Sequence, residues 1–146
     1  MTTQPDFEEL LRLFEENKVR YMIIGGYAVA YHGYPRFTKD IDIFFANSPD
    51  NVKRVRAALL AFGFSESEAP ESLLAEMGNI IRFGVPPVQV DLVNQIDGVT
   101  FEETERNAVR GRYGRVQVSF IGKTDLIRNK RASGRPRDQV DADALE

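Results

Sequence analysis

Asp40 and Asp42 stand two residues apart in the run Asp40-Ile41-Asp42-Ile43-Phe44-Phe45. The run reads as a strand over Lys39 to Phe45, rich in branched and aromatic residues. Residues i and i+2 of a strand share a face, so both carboxylates project one way and Ile41 and Ile43 the other. Aspartate is a poor strand former, and two on one face beside apolar residues repel unless a cation joins them. Carboxylates held about 6–7 Å apart at Cα can share hard divalent cations, which prefer oxygen ligands. An edge strand with one wet face would also turn Asp42 outward, with no metal. Asp91 is a third acid embedded in an apolar strand, Val88 to Val93. If that strand lies beside the first, three carboxylates converge in the kind of metal site used for phosphoryl transfer.

A second feature precedes the acids. Val19 to Ile24 reads as a strand, and Gly25-Gly26 ends it before a short helix over Tyr27 to Tyr31. Glycine lets a backbone approach a ligand closely, and a helix start offers free N–H groups to a phosphate. A tight strand-to-helix turn with no ligand explains the pair equally well. His32, the only histidine, falls in a loop with Gly33 and Pro35, where packing is a commoner role than catalysis. Arg36 and Lys39 flank the approach to the acids. They could face a phosphate or simply solvent.

The remaining elements follow from periodicity. Phe7, Leu10, Leu11 and Phe14 give one apolar face to a helix over Asp6 to Asn17. Ser48-Pro49 starts another, with Val52, Val55, Leu59 and Phe62 on its stripe and Gly63 near its end. Ser72 to Met77 reads as a short helix. Ile80 to Phe83 and Val88 to Val93 read as a hairpin joined by Gly84-Val85-Pro86-Pro87. In its second strand Val88, Val90 and Leu92 share one face, and Gln89, Asp91 and Val93 the other. Phe101 to Val109 reads as a helix and Arg115 to Phe120 as a strand. A helix begins at Gly122-Lys123-Thr124-Asp125, Ser133-Gly134-Arg135-Pro136 breaks it, and a last one covers Arg137 to Leu145. Lys123, Lys130 and Arg135 are candidates for holding a triphosphate, or are surface charge.

A chain of 146 residues has the usual size of one domain, here read as 1–146. With no cysteine it has neither disulfides nor thiolate chemistry. No apolar run approaches the roughly 20 residues of a membrane helix. The start, MTTQPDFEELL, lacks the form of a signal peptide. The expectation is a cytoplasmic protein without a membrane segment. The formal net charge of -3 hides an asymmetry. Residues 106–137 carry 10 basic side chains against Asp125 alone, whereas residues 1–105 are acidic. Such a block can bind polyphosphate or nucleic acid, or neutralise the acidic part of its own fold.

Together these residues resemble the nucleotidyltransferase superfamily related to DNA polymerase beta. Its pattern is an apolar residue and Gly-Gly or Gly-Ser, then Asp-x-Asp, then a later strand Asp. Here these are Ile24-Gly25-Gly26, Asp40-Ile41-Asp42 and Asp91. The sequence is closer still to the small toxin-like group that includes the AbiEii abortive-infection toxins, with a front motif like GGxAxxxHGxxRxTxDID. Gly25, Gly26, Ala28, His32, Gly33, Arg36, Thr38, Asp40, Ile41 and Asp42 keep that spacing. The ending LIRNKRASGRPRDQVDADAL resembles the group's tail, with Lys130, Arg135 and Asp138 in place.

The resemblance implies an α/β (α+β) fold, a mixed β-sheet flanked by helices. It implies catalytic and metal-binding roles for Asp40, Asp42 and Asp91, with two Mg²⁺ ions, or Mn²⁺ in their place. It implies an NTP, ATP among them, meeting Gly25, Gly26, Arg36, Thr38, Lys123 and Lys130. A hydroxyl would attack the α-phosphate and pyrophosphate would leave, with Asp91 as general base or its metal-assisted equivalent. Larger relatives carry further helical domains that choose the acceptor. This chain is short, so RNA, protein and small molecules all stay open as acceptors, and an antitoxin is a candidate partner. Two other classes compete: an inactive nucleotidyltransferase fold serving as a regulator, and a nucleic-acid-binding module using the basic block.

Overall fold

The computed structural model describes residues 4–35, 38–85 and 88–146. Arg36, Pro86 and Pro87 lie outside them. Six strands form one mixed sheet: β1 (Tyr21–Ile24), β2 (Asp40–Phe45), β3 (Ile80–Val85), β4 (Val88–Val93), β5 (Val109–Tyr113) and β6 (Val116–Phe120). Their order across the sheet is β3-β4-β2-β1-β6-β5. The pairs β2·β4 and β1·β6 are parallel, and the others are antiparallel. Seven helices flank the sheet among the described residues: α1 (Pro5–Glu16), α2 (Gly25–Tyr31), α3 (Pro49–Phe62), α4 (Glu71–Ala75), α5 (Phe101–Asn107), α6 (Lys123–Ser133) and α7 (Pro136–Leu145). The expected mixed α/β architecture is therefore present.

Alternation builds the core. Ile41 and Ile43 of β2 and Leu92 of β4 are fully buried and join the same apolar cluster as Leu10, Leu11 and Phe14 of α1 and Val55 and Leu59 of α3. The opposite face of β2 carries Asp40 and Asp42, both half-buried. That face is closed at one end, where the Phe44 ring meets Phe101 of α5 edge-on at 5.1 Å between centroids. At the other end it stays open, and there the acids stand.

The sequence expectations need two corrections. Helix α2 begins at Gly25 itself, two residues before its expected start. Val109 to Tyr113, expected in part as the end of a helix and otherwise unassigned, is strand β5, which turns at Gly114 (φ 61°) into β6. Arg110, Gly111 and Arg112 carry no apolar side chain, so the strand shows no hydrophobic period. It is an edge strand, held by backbone pairing and by the burial of Tyr113. No helix among the described residues is long and apolar enough to cross a membrane.

Candidate active site

Parallel pairing of β2 and β4 sets Asp42 directly opposite Asp91, with Asp40 opposite Gln89. Side chains in register on neighbouring strands share a face, so all three carboxylates line one side of the sheet. The two acidic strands are thus neighbours, as convergence of the three acids requires. On the other flank of β2, Ile24 pairs with Asp42 and delivers Gly25 against that carboxylate. Gly25 has φ 66°, and a Cβ there would stand 2.2 Å from Asp42 Oδ2. Only glycine satisfies both the backbone conformation and the contact. The next glycine, Gly26, faces Thr38, whose side chain a Cβ would meet at 3.0 Å. Thr38 Oγ1 donates to the Asp40 carbonyl at 3.1 Å, fixing the entry to β2.

Around these residues is a cavity of about 510 Å³, lined by Gly25, Gly26, Thr38, Lys39, Asp40, Asp42, Asp91, Lys130, Arg135, Arg137 and Asp138. One wall is acidic and belongs to the sheet. The other is basic and belongs to the α6–α7 corner. Burial, then the negative charges of Asp91 and Asp40, push the Asp42 carboxyl up to about 6, against the opposing pull of Lys130. Asp91 is held from outside the cavity. Arg82 Nε donates to its Oδ1 at 2.8 Å and Arg82 Nη2 to its Oδ2 at 3.2 Å. The Arg82 charge is favoured first by the hydrogen bond and charge of Asp91, and then by Asp40 and Asp42.

Lys130 is buried, which a lysine tolerates only when paired. Its Nζ lies 3.1 Å from Asp138 and 3.3 Å from Asp141, both on α7. Ser133 also donates to Asp138. Burial pushes the Asp138 carboxyl up, but Ser133, Lys130 and Arg135 hold it below its usual range. Lys130 therefore ties α6 to α7 as well as facing the cavity. Lys39, Arg135 and Arg137 are exposed at the cavity and make no side-chain ion pair among the described residues. They are its available cations.

Of the residues expected from sequence, the structure gathers Asp40, Asp42, Asp91, Gly25, Gly26, Thr38 and Lys130 around one cavity. Lys123 is not with them. It is exposed at the first position of α6, seven residues and about 10 Å of helix from Lys130. Arg36 lies outside the described residues. His32 Nε2–H donates to the Ile121 carbonyl, 2.7 Å away, and does not line the cavity. Arg137 lines the cavity although the sequence does not single it out, because one arginine in a basic run carries no signal of direction. The run itself divides. Arg110, Arg115, Arg128, Lys130 and Arg131 pair with acids of the same chain, so half of its ten cations serve the fold's own neutrality.

Three carboxylates on one sheet face suit a hard divalent cation. Burial first, and then the charges of Asp91 and Asp40, raise the Asp42 carboxyl, an effect that a bound cation would oppose. No group of three or more histidine, cysteine, aspartate or glutamate side chains among the described residues is arranged as a ready ligand set, and Asp91 is turned to Arg82.

The fold is that of a nucleotidyltransferase, an enzyme class that moves a nucleoside monophosphate. The chain belongs to the family described as "Nucleotidyl transferase of unknown function (DUF2204)", whose model matches residues 3–145. Among solved structures it is similar to the lincosamide antibiotic adenylyltransferase LnuA with lincomycin bound. The TM-score is 0.57 at 20% identity, over 99% of this chain and 96% of that one. No curated protein matches it in sequence.

Proposed function

We propose that this protein transfers a nucleoside monophosphate from an NTP to a hydroxyl acceptor, with Asp40, Asp42 and Asp91 as its catalytic carboxylates. The observation that carries the reading is the shared register of Asp42 and Asp91, with Gly25 packed against Asp42. Two acids on adjacent strands and a glycine in contact with one of them make a poor packing solution but a good cation and phosphate site.

In this reading the lining of the cavity divides by role. Gly25, Gly26 and Thr38 bound the place for the phosphates, and Lys39, Arg135 and Arg137 offset their charge from the open side. Lys130, positioned by Asp138 and Asp141, adds a fixed positive charge near Asp42. A divalent cation held by Asp40, Asp42 and Asp91 would supply the charge that makes a hydroxyl acidic enough to react and stabilises the leaving phosphates. Sheet order puts Asp91 on the far side of Asp42 from Gly25, and in this reading the acceptor takes the β4 side, opposite the phosphates. Its oxygen forms the bond to the α-phosphorus, the bond to the β-phosphate oxygen breaks, and pyrophosphate leaves. The hydroxyl proton passes to the carboxylate cluster. Mg²⁺ is the expected ion, with Mn²⁺ as a substitute.

The acceptor class favoured is a small molecule. The similar adenylyltransferase, covered to 96% by this chain, acts on a lincosamide antibiotic. A fold of this extent thus serves a small-molecule acceptor in that protein. Transfer to RNA or to protein, as in a toxin neutralised by an antitoxin, is the outcome that would displace this choice.

The test is calorimetric titration of the four NTPs with and without Mg²⁺, on wild type and on Asp40→Asn/Asp42→Asn. Labelled NTP is then offered to small-molecule, RNA and protein acceptors. Mg²⁺-dependent binding lost in the double variant supports the site. Binding and transfer retained in that variant would sink it.

A further inference from the structure

Arg82 is the side chain next to the acids that the proposed reaction leaves unused. It lies on β3, the edge strand, directly across from Asp91 in the antiparallel β3·β4 register. Cross-strand partners stand about 4.5–5.5 Å apart at Cβ, so the sheet fixes this pair. The contact is two-pronged, with one guanidinium nitrogen on each carboxylate oxygen at 2.8 and 3.2 Å. Its two ends differ in environment. The Arg82 side chain is 64% exposed and that of Asp91 only 13%. An exposed arginine thus reaches inward to a carboxylate that is nearly out of solvent.

A carboxylate that accepts two such bonds has given one lone pair of each oxygen to arginine, and part of its negative charge is already neutralised. The same oxygens are those a divalent cation would need. Lys130, the other fixed cation near the cluster, is already shared between Asp138 and Asp141. Arg82 is the one whose pairing falls on the sheet's own acids.

We propose that Arg82 is a positioning residue that competes with the divalent cation for Asp91 and so sets the cation affinity of the site. This rests on the nucleotidyltransferase reading above. Its consequence is a site that binds cation weakly alone and fills when the NTP brings further phosphate oxygens. Arginine is suited to this, because its flat fork matches the carboxylate and its exposed stem can swing into solvent without a packing loss. Lysine at the same place would hold Asp91 through a single point charge.

Mn²⁺ is the probe, read by electron paramagnetic resonance as free against bound ion, on the full chain, with and without ATP. Wild type is compared with Arg82→Ala, Arg82→Lys, Asp91→Asn and the double variant Arg82→Ala/Asp91→Asn. Removing the competitor should tighten Mn²⁺ binding about threefold to tenfold, with Arg82→Lys in between. The gain should vanish when Asp91 is also changed. A merely structural role predicts the opposite sign, since a loosened Asp91 would bind cation less well. Unchanged or weaker Mn²⁺ binding in Arg82→Ala, with wild type still binding, overturns this inference and leaves the nucleotidyltransferase reading intact. Absence of Mn²⁺ binding in every variant, with or without ATP, overturns both.

Discussion

Asp42 of β2 and Asp91 of β4 face each other at one register position of a parallel strand pair, and each is held differently. Asp42 lies against Gly25 and within reach of the Lys130 charge, while Asp91 is bound by Arg82. Two carboxylates this close in a half-buried site cannot both ionise without cost. Lys130 acts on Asp42 through its charge from the α6 side, and Arg82 binds Asp91 from the β3 side.

A measurable pH dependence follows. Burial, Asp91 and Asp40 raise the Asp42 carboxyl from 3.8 to about 6 in the folded state. The folded protein therefore keeps the proton longer than the unfolded chain. Stability due to this group is highest below about pH 4, falls as pH rises, and is lowest above about pH 6. Asp42→Asn removes the titration. In the absence of divalent cation the variant should be about 1–3 kcal/mol more stable than wild type at pH 8 and equal to it below about pH 4. Urea denaturation across that range checks it. An equal offset at all pH values would show that Asp42 does not carry the strain.

The two glycines should respond differently to alanine. At Gly25 the new methyl would lie 2.2 Å from Asp42 Oδ2, and φ 66° is unfavourable for any side chain. Gly25→Ala should cost about 1–2 kcal/mol and lower transfer on the order of 10²-fold through displacement of Asp42. Gly26 has an ordinary helical backbone, and its methyl would only press on Thr38 at 3.0–3.4 Å. Alanine also favours helix over glycine by about 1 kcal/mol. Gly26→Ala should stay within about 1 kcal/mol of wild type in thermal melts. Equal damage at both positions would mean that the contact with Asp42 is not what sets Gly25.

Alternation around Asp40, Asp42 and Asp91 is legible in the chain itself and puts each acid on the polar face of its strand, because a period of two depends only on local geometry. That β2 and β4 are neighbours is not readable in the same way. Pairing depends on sheet order, and the hairpin with β3 fixes only one edge of β4. Side-chain partners are less readable still. Charge and spacing do not separate Lys130 from Arg137, two cations seven residues apart in one basic run, and only the resemblance of the tail singles out Lys130. One is buried between two carboxylates of α7 and the other stands exposed at the cavity. Lys123 lies away from the cavity for the same reason, as its place along α6 decides its reach.

That difference gives the last prediction. Lys130 neutralises Asp138 and Asp141 in a buried corner where α6 and α7 meet. Removing one partner of a buried ion pair leaves uncompensated charge, so Lys130→Ala should cost about 3–5 kcal/mol and loosen α7. Hydrogen exchange should show α7 amides losing protection before the rest of the chain. Arg135 and Arg137 lie at the same cavity without ion-pair partners among the described residues. Arg135→Ala and Arg137→Ala should change stability by no more than about 0.5 kcal/mol. Each should weaken NTP binding and flatten its dependence on salt, because the lost contact is to phosphate. NTP binding that survives Arg135→Ala/Arg137→Ala unchanged would move the triphosphate away from the α6–α7 wall. A Lys130→Ala variant as stable as wild type would show that the corner is held by Ala142, Leu145 and the Arg131 contacts instead.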